Sequence, residues 1–251
     1  MTRIARALLA AVTVVLTGAS PAVVTAEEPI TREQAERLIE EIRLLRQTLE
    51  QLRAPQPTAA APQPAPDENV KLDLRGAHVM GRVDAPITMV EFTDLECPFC
   101  RTFHTETFEQ IKRAYIDTGT VRFISRDFPL PFHANARPAA LAVRCAGAQG
   151  KFWEMRHAVT LNASALGRDI YINLARAAGL EMKQFESCVD ADTYKAAIEQ
   201  DLAAGVAAGV NGTPTFVIGA TIPDGVEGQR IVGAHPYAVY ETRIKELLAK
   251  P

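Results

Sequence analysis

The stretch Val90-Glu-Phe-Thr-Asp-Leu-Glu-Cys-Pro-Phe-Cys-Arg101 decides the fold of this 251-residue chain. An apolar, strand-like run at residues 86–93 leads into it, and a helix-like stretch at residues 101–117 follows it. Between the two runs stands Cys-Pro-Phe-Cys, at residues 97–100. The sequence therefore predicts a strand joined by a short connection to a helix, with two cysteines at the start of that helix.

The placement of Cys97 predicts an acidic, reactive thiol. With Cys97 at the helix cap and Pro98 as the first helical residue, the sulfur faces unpaired backbone N–H groups and the positive end of the helix dipole. In Cys-x-x-Cys motifs at helix starts, the thiol pKa falls from about 8.5 to roughly 3.5–7.5. We therefore expect Cys97 to be exposed as a nucleophilic thiolate. Cys100, one helical turn on, is expected to lie behind it and to resolve a mixed disulfide.

The globular part of the chain alternates between strand and helix patterns. Strand-like runs occur at 86–93, 121–127, 215–218 and 229–232, and helix-like runs follow the cysteine motif, fill most of 135–209 and close the chain at 236–249. This order predicts an α/β fold, in which residues 70–133 and 210–251 form a sheet-containing domain and residues 134–209 form an inserted helical domain. Trp153, the only tryptophan, is expected in the core of that helical insertion.

The first 26 residues read as a secretory signal peptide. Arg3 and Arg6 give a charged start, residues 7–16 an apolar core, and Val24-Thr-Ala26 a small-residue cleavage site. We expect cleavage after Ala26 and export, as a soluble protein, to the periplasm or beyond. The alternative is an uncleaved membrane anchor, although the apolar run is short for a span of ~20 residues. Outside the cytosol, the four cysteines of the chain are able to pair.

The composition of the chain limits the classes of partner that it can bind and indicates how it divides into segments. The chain carries a formal net charge of −3 with no long basic run, which argues against nucleic acid as a partner. Past the predicted signal, residues 31–53 are charged and periodic, and residues 54–66 are almost all alanine, proline and glutamine. Residues 70–251 have a globular composition and are long enough for one domain with a sizeable core.

Residues 27–53 are predicted to form an amphipathic, coiled-coil-like helix. Thr31-Arg-Glu-Gln34 fits a capping box, and apolar residues then recur at alternating spacings of three and four. The apolar positions of this seam are Ala35, Leu38, Ile42, Leu45, Leu49 and Leu52. A seam of about three heptads favours self-association as a dimer or trimer. The alternative is a helix that packs on its own globular domain.

Residues 54–69 are predicted to form a Pro/Ala-rich linker. Prolines stand at positions 55, 57, 62, 64 and 66. Prolines at this density favour an extended polyproline conformation of ~3.1 Å per residue, so residues 54–66 span up to ~40 Å. We therefore expect the linker to separate the predicted oligomerisation helix from the globular part.

Three separated motifs of the globular part resemble the DsbA-like branch of the thioredoxin superfamily, the exported thiol-disulfide oxidoreductases that include DsbG-like and ScsC-like proteins. The motifs are residues 90–101, Gly150-Lys-Phe-Trp153 and Gly212-Thr-Pro-Thr-Phe216, and the resemblance runs from residue 69 to the C terminus. It implies a thioredoxin fold interrupted by a helical domain, and an enzyme that exchanges disulfides through Cys97 and Cys100. We expect no cofactor and no bound metal.

The resemblance also implies roles for residues outside the cysteine motif. It implies a cis peptide bond before Pro214, where Thr213 offers main-chain groups to an extended client; sequence alone favours an ordinary trans-proline at the start of a strand. It further implies that Glu91 is the buried acid beneath the disulfide and accepts the proton of Cys100. Burial would raise the pKa of Glu91. The alternative for Glu91 is a strand-edge carboxylate in water.

One departure from the family leaves the direction of electron flow open. The strongest oxidases that the chain resembles carry histidine where Phe99 stands, and that histidine helps to stabilise the thiolate. Phe99 offers no donor, so we expect a less oxidising disulfide. Thr213 is also found before the proline in disulfide isomerases of the wider superfamily, and several sites held on stalks would suit an isomerase. Oxidation and isomerisation of client disulfides both remain open.

Cys145 and Cys188 lie in two helix-like stretches of the insertion. Four cysteines allow three pairings, and pairing Cys97 with Cys100 and Cys145 with Cys188 is the economical choice. We expect the second pair to be a structural disulfide. The alternative is two buried free thiols that act as small apolar residues.

Three functions compete on these residues. The first is a protein thiol-disulfide oxidoreductase that acts on client proteins and exchanges electrons with a membrane redox partner. The second is a copper- or zinc-binding protein that uses Cys97, Cys100 and His104, although a structural zinc site usually has four ligands. The third is a non-catalytic adaptor in which the helix and linker carry the function. The intact Cys-x-x-Cys motif favours the first.

Overall fold

The computed structural model describes residues 31–53 and 69–249. The chain divides into two compact units, Met1–Ala61 and Pro62–Pro251. The predicted signal peptide, residues 1–26, and nearly all of the predicted linker lie outside the described residues. Within the described ranges, no helix is long and apolar enough to cross a bilayer.

Helix α1, Arg32–Arg53, belongs to the first unit. Thr31 and Gln34 form the capping box that the sequence predicts. The Gln34 N–H donates to Thr31 Oγ1 at 3.3 Å, and the Thr31 N–H donates to Gln34 Oε1 at 2.9 Å. Three residues of the predicted seam are exposed, by 57, 44 and 62%: Leu38, Ile42 and Leu45. The described part of α1 thus carries an apolar stripe on its surface, and self-association through it stays a prediction.

In the described part of the second unit, six strands form one mixed sheet in the order β1-β6-β5-β3-β4-β2. The strands are β1 Val70–Asp73, β2 Val79–Met80, β3 Ile87–Thr93, β4 Val121–Asp127, β5 Thr215–Ile222 and β6 Gly225–Val232. β3 and β4 run parallel, and the other neighbouring strands run antiparallel. Every residue of β3 is buried, because the centre of the sheet is covered on both faces.

The helix after the cysteine motif begins as α2, Pro98–Thr102, and continues through a π-helical turn, Phe103–Phe108, the short α3, Glu109–Ile111, and a second π-helical turn, Lys112–Ile116. The inserted helices are α4 Ala136–Gly147, α5 Phe152–Leu161, α6 Arg168–Ala177, α7 Met182–Asp190 and α8 Lys195–Ala207, with a 3-10 turn at Ala163–Ala165. Helix α9, Tyr237–Leu248, follows the last strand. The predicted α/β fold with a helical insertion is confirmed.

Apolar clusters hold the sheet and the helices together. One face of the sheet packs on the helix after the motif and on α9, through a cluster that includes Met89, Phe103 and Tyr240. The opposite face, with Val90 and Phe92, packs on residues at the end of α8. A further cluster lies among the inserted helices. Because side chains alternate along β3, its odd-numbered residues point toward the helix that carries the cysteines.

The edge strands and the length of β6 were not predicted. β1 and β2 are short, and two to four residues carry too little alternation to be recognised from sequence. β6 begins at Gly225, ahead of the predicted start at residue 229. A Cβ on Gly219 would lie 1.9 Å from the main-chain oxygen of Glu227, so the close approach of β5 and β6 requires glycine there. When only the sequence is known, glycines such as Gly219 and Gly225 indicate a turn, and β6 is therefore predicted too short.

The prediction that Trp153 is a core residue of the helical insertion is met only in part. Its side chain is only partly buried, and it packs against both the insertion cluster and the sheet cluster. The Nε1–H of Trp153 donates to the main-chain oxygen of Val79 in β2 at 3.3 Å. A tryptophan N–H in a packed environment needs such an acceptor. Trp153 therefore lies at the boundary between the insertion and the sheet.

A disulfide joins α4 and α7 within the insertion. Cys145 and Cys188 are bonded, with their Cα atoms 5.8 Å apart and a separation of 43 positions in the sequence. This is the pairing that the sequence makes economical. In the chain-entropy model, closing a loop of this length stabilises the fold by about 4 kcal/mol.

Buried ion pairs tie the insertion to the sheet. Asp201 of α8 is 1% exposed and pairs with Arg126 of β4 and with Arg144 of α4. Arg144 also pairs with Asp127, at the end of β4. Nothing in the sequence pattern indicates these contacts, because the paired charges come from three elements that are far apart in the chain, β4, α4 and α8. These ion pairs hold the inserted helices against β4, the neighbour of β3 in the sheet.

Candidate active site

Cys97 and Cys100 stand at the junction of β3 and α2. Cys97 is the N-cap residue of α2, with extended backbone angles, and Pro98 opens the helix, as the sequence predicts. Among the described residues, Cys97 and Cys100 are the free cysteines. The extended cap turns the sulfur of Cys97 toward backbone N–H groups of the first helical turn, those of Phe99 and Cys100.

The pKa of Cys97 is lowered to about 5. The largest cause is a hydrogen bond from the Cys100 thiol, and the Thr213 side chain and the N–H groups of Cys100 and Phe99 act in the same direction. Burial of the sulfur opposes them. Cys97 is therefore a thiolate at neutral pH, which is the chemical state that attacks disulfides.

The pKa of Cys100 shifts in the opposite direction, well above its usual value. Burial is the largest cause, followed by the hydrogen bond to Cys97 and by the negative charge of Glu91. Cys100 is 2% exposed. The motif thus contains one thiolate and one thiol that keeps its proton, and the buried thiol needs a base before it can react.

The prediction that Cys97 is exposed is wrong. Cys97 is 3% exposed, whereas its neighbour Phe99 is 64% exposed. The side chain of Cys97 turns inward against the loop before β5, where its Sγ lies 3.5 Å from the main-chain oxygen of Thr213. The surface that a partner meets first at this motif is therefore the ring of Phe99.

The Thr213–Pro214 peptide bond is cis, in the loop that leads into β5. The loop is held by two hydrogen bonds, from Thr215 Oγ1 to the main-chain oxygen of Gly212 at 2.7 Å and from the Gly233 N–H to that of Pro214 at 2.8 Å. Thr213 thereby faces the sulfur of Cys97. The hydroxyl of Thr213 is buried and has no hydrogen-bond partner among the described residues.

Glu91 lies in the middle of β3 and is completely buried. This excludes the alternative of a strand-edge carboxylate in water. Its Oε2 forms an ion pair with Arg156, while its Oε1 is buried without a hydrogen-bond partner. Burial raises the pKa of Glu91, and Arg156 and the Thr93 hydroxyl partly offset that rise. The negative charge on Cys97 raises it further, so Glu91 and the motif act on each other.

Arg156, on α5 of the insertion, is a site residue that the sequence analysis missed. Its Nε donates to Ser125 Oγ at 2.9 Å, and one terminal nitrogen pairs with Glu91. The guanidinium lies 5.9 Å from the ring centre of Trp153. The available signal was its position on the buried face of α5, four residues after Phe152. An arginine on an apolar helix face requires a buried acid as a partner.

His104 is buried and is engaged away from the sulfurs. Its Nδ1 lies 3.3 Å from Arg156 Nη1, and its Nε2 lies 2.8 Å from Nδ1 of the exposed His157. Burial, then Arg156 and His157, lower the pKa of His104 to about 3. In residues 31–53 and 69–249, no three histidine, cysteine or acidic side chains converge so as to hold a metal ion. The metal-ligand set Cys97, Cys100 and His104 is therefore not brought together.

A second exposed aromatic ring lies at the same end of the sheet as the motif. Asp94, just after β3, accepts hydrogen bonds from the Leu130 N–H and contacts His133 Nδ1, each at 2.8 Å. These contacts hold the loop after β4 against the connection that carries Cys97. The residue between them, Phe132, is 75% exposed. No role for this loop is predicted from the sequence, because its prolines indicate only a turn.

Comparisons with known proteins agree with this fold. The family model described as Thioredoxin matches residues 73–230, more than half of the chain. Among solved structures, the chain is similar to Wolbachia pipientis alpha-DsbA1, with a TM-score of 0.64, 26% identity, and coverage of 71% of this chain and 94% of that one. A thioredoxin-like oxidoreductase from Silicibacter pomeroyi DSS-3 gives a TM-score of 0.57, 25% identity, and coverage of 70% and 94%. Oxidised BdbD from Bacillus subtilis, at 24% identity, a TM-score of 0.61 and coverage of 70% and 94%, has the same fold.

The curated relatives carry other names. The chain is 33% identical over 158 residues to the Na⁺/H⁺ antiporter NhaA of Herminiimonas arsenicoxydans, covering 63% of this chain and 23% of the antiporter. It is 34% identical over 150 residues to NhaA 1 of Mycolicibacterium gilvum (strain PYR-GCK), covering 59% and 24%. The match spans about a quarter of the length of these relatives. It is confined to a part of each antiporter equal in size to one domain.

Proposed function

The chain belongs to the thioredoxin family, and on that premise we propose that it is an exported protein thiol-disulfide oxidoreductase that forms or isomerises client disulfides through Cys97 and Cys100. The observation that carries this proposal is the placement of the two free cysteines, with Cys97 as the N-cap residue of α2, its Sγ 3.5 Å from the main-chain oxygen of Thr213, and Cys100 buried in the first turn. The pKa of Cys97 falls to about 5, and that of Cys100 rises well above its usual value. A thiolate beside a proton-holding thiol is suited to making and breaking disulfides.

The exchange proceeds through a mixed disulfide. When the protein is reduced, the Cys97 thiolate attacks a client disulfide, forms a bond to one client sulfur and expels the other as a thiolate. Cys100 then loses its proton and attacks Cys97, so that the protein dithiol is oxidised and the client disulfide is reduced. In the reverse direction, a client thiolate attacks Cys97 in the protein disulfide and expels Cys100. Isomerisation uses the first step and releases the client after it has rearranged.

Glu91 is the base that the second step needs. Cys100 is buried, and its thiol cannot pass a proton directly to bulk water. Glu91 is completely buried on the sheet face beneath the motif, and its Oε1 is free of other hydrogen bonds. The raised pKa of Glu91 brings the carboxyl closer to the working pH, where a general base is most effective.

Clients are proposed to dock at the exposed rings around the motif. Phe99 and Phe132 are 64% and 75% exposed, at the same end of the sheet. Isolated apolar side chains are common on surfaces, but an exposed ring within the motif and a second one at the same end of the sheet favour binding of apolar client segments. The main-chain groups of Thr213 lie beside Cys97 and suit an extended client strand.

Two features bear on the direction of the reaction. The side chain of Phe99 provides no hydrogen-bond donor to the thiolate, which favours a moderately oxidising disulfide. Self-association through α1 would place several motifs around one client, which favours isomerisation. The proposed function therefore includes both oxidation and isomerisation of client disulfides, and a refolding assay distinguishes them.

The proposed place of action is outside the cytosol. Residues 1–26 have the composition of a signal peptide, and the Cys145–Cys188 disulfide suits an oxidising compartment. A membrane redox partner would return the motif to its working state, and α1 would form a dimer or trimer. The antiport activity in the names of the curated relatives belongs to those proteins.

A refolding assay with one client in two forms tests the proposal. A client with reduced thiols reports oxidation, and the same client with scrambled disulfides reports isomerisation. We expect the wild-type chain to act on at least one form and Cys97→Ser on neither. Cys100→Ser should accumulate a client adduct through Cys97, because the resolving thiol is missing, and the double variant should form none.

The outcomes separate the alternatives. Rapid oxidation without rescue of the scrambled client makes the protein an oxidase, and the opposite result makes it an isomerase. A Cys97→Ser variant that keeps its activity, or a Cys100→Ser variant that traps no client, would overturn the proposal. The equilibrium redox potential of the motif, measured alongside, places it on the scale between strong oxidants and reductants.

A further inference from the structure

Buried polar atoms without partners are concentrated around the two thiols. In the described residues, five buried side-chain nitrogen or oxygen atoms have no hydrogen-bond partner, and three of them belong to Glu91, Thr93 and Thr213. A polar atom buried without a partner costs free energy, so native proteins contain few of them. A cluster of three at one site indicates that these atoms acquire partners during the reaction. Thr213 faces Cys97, which leaves Glu91 and Thr93 on the side of Cys100.

Thr93 is the last residue of β3 and is 3% exposed. It stands two residues after Glu91, so both side chains leave the strand on the same face. That face packs against the helix that carries the cysteines. Cys100 lies in the first turn of that helix and is itself buried, at 2% exposure, and the Thr93 hydroxyl acts on the pKa of both Glu91 and Cys100. Three groups that exchange or carry protons are therefore adjacent in a site closed to solvent.

Arg156 fixes which oxygen of Glu91 is free. It holds Oε2 in the ion pair, and its other nitrogens are engaged by Ser125 and His104. The guanidinium therefore cannot turn to take both carboxylate oxygens. Oε1 is left without a partner, on a carboxylate whose strand neighbour on the same face is Thr93.

We propose that the hydroxyl of Thr93 relays the proton between Cys100 and Glu91 when Cys100 attacks the mixed disulfide on Cys97. The inference rests on the proposed function and adds a residue to it. A hydroxyl is suited to this role because it accepts one proton and donates another without a net change in charge. Valine or alanine at this position would leave the thiol and the carboxylate without that connection.

In the direction that reduces a client, Cys100 loses its proton as it attacks the mixed disulfide. The S–H bond of Cys100 breaks and its proton passes to Thr93 Oγ1, while the proton of Thr93 passes to Glu91 Oε1. The sulfur of Cys100 forms a bond to Cys97 Sγ, and the bond between Cys97 and the client sulfur breaks. The client sulfur leaves with the electron pair as a thiolate. Two protein thiols are oxidised and one client disulfide is reduced, with no further reactant.

A stopped-flow experiment isolates this step. The reduced full chain is mixed with a symmetrical aromatic disulfide whose thiolate is coloured. The first release of colour reports attack by Cys97, and the second reports displacement by Cys100. Thr93→Val removes the hydroxyl and keeps the shape, and Thr93→Ser keeps the hydroxyl. Thr107→Val is the matched control, because Thr107 is also buried but donates to His235, away from the motif.

We expect Thr93→Val to slow the second phase roughly 10²-fold, the lower range for loss of a general acid–base group, and to leave the first phase within about twofold. The lost rate should return at high pH, where hydroxide removes the proton of Cys100 directly. Thr93→Ser and Thr107→Val should keep the second phase near that of the wild type. Because the hydroxyl of Thr93 has no partner, Thr93→Val should fold at least as stably as the wild type.

An unchanged second phase in Thr93→Val would overturn the relay, and so would a Thr93→Ser variant as slow as Thr93→Val. If the valine variant does not fold, Thr93→Ala against Thr93→Ser makes the same comparison. Failure of the proposed function is recognised separately. In that case Cys100→Ser traps no client protein, whereas the wild-type chain still shows both phases with the small aromatic disulfide.

Discussion

Arg156, on helix α5 of the insertion, forms an ion pair with Glu91 at the centre of the sheet, and both side chains are buried. Each charge alone would pay a large desolvation cost, and the pair is stable only because each neutralises the other. The same guanidinium contacts Ser125 of β4 and His104 of the helix that follows the cysteine motif. The inserted helices therefore contribute directly to the electrostatics of the redox site and do more than cover it.

Replacing Arg156 by methionine should destabilise the fold by about 3–5 kcal/mol, because removal of one partner leaves a buried charge uncompensated. The measurement is denaturant unfolding of the reduced protein at neutral pH. The double variant Glu91→Gln/Arg156→Met, in which both charges are gone, should recover most of the loss. A single variant that unfolds within about 1 kcal/mol of the wild type would mean that the pair behaves like an exposed one.

The Glu91–Arg156 pair also predicts a pH dependence of stability. The pKa of Glu91 in the folded protein is raised above 4.5. Between that value and the folded pKa, the folded state binds more protons than the unfolded state, so stability from this group falls as the pH rises. Arg156→Met removes a group that lowers the pKa of Glu91. The variant should therefore continue to lose stability up to a higher pH than the wild type. Unfolding free energies measured across this range in both proteins check the sign, and curves that stay parallel would contradict it.

The thiolate of Cys97 should titrate with a pKa of about 5. Its contribution to the stability of the reduced protein is fully present above the usual thiol pKa and is lost as the pH falls to about 5, because over this range the unfolded state takes up a proton that the folded state does not. The check is the pH dependence of thiolate absorbance or of alkylation rate. Cys100→Ala should raise the pKa of Cys97, because the hydrogen bond from Cys100 is the largest cause of its shift. Cys100→Ser retains a donor and should raise it less.

The sequence was sufficient for the fold where patterns are long or chemically distinctive. β3 is a continuous apolar run because it is buried on both faces, and Cys-Pro at residues 97 and 98 marks the start of a helix. The edge strands β1 and β2 were missed because a few residues carry too little pattern. β6 was shortened because its glycines, which allow the close approach of β5, read as a turn.

Residues of the site were predictable only where they belong to a recognisable sequence motif. Cys97, Cys100 and Pro214 stand in short motifs, and Glu91 lies at a fixed distance before the first cysteine. Arg156 comes from the far side of the chain, and no local pattern connects it with Glu91. The burial of Cys97 was missed for a related reason, because it depends on the distant loop at Thr213.

The Asp201 cluster predicts a purely structural effect. Asp201 is buried and accepts hydrogen bonds from Arg126, Arg144 and the Asp127 N–H. Asp201→Ala should therefore cost about 3–5 kcal/mol of unfolding free energy. The redox potential of Cys97 and Cys100 in the Asp201→Ala variant, measured at temperatures well below its unfolding midpoint, should match that of the wild type. Asp73→Ala is the control, because its pair with Arg75 is exposed and should have little effect on stability. A shifted potential in Asp201→Ala would show that the cluster reaches the motif.

The last prediction concerns the apolar stripe on α1. Ile42 and Leu45 are exposed seam residues, and burying them in a partner helix would stabilise an oligomer through apolar contact. We expect the wild-type chain to sediment as a dimer or trimer, and Ile42→Asp/Leu45→Asp to sediment as a monomer. Gln47→Asp is the control, because Gln47 lies at heptad position f, off the seam. The monomer should keep the redox potential of Cys97 and Cys100 but lose activity on the scrambled client relative to the reduced one, because only isomerisation benefits from several motifs on one client. A monomeric wild-type chain would remove the argument for isomerisation and leave the oxidase as the reading that the motif supports.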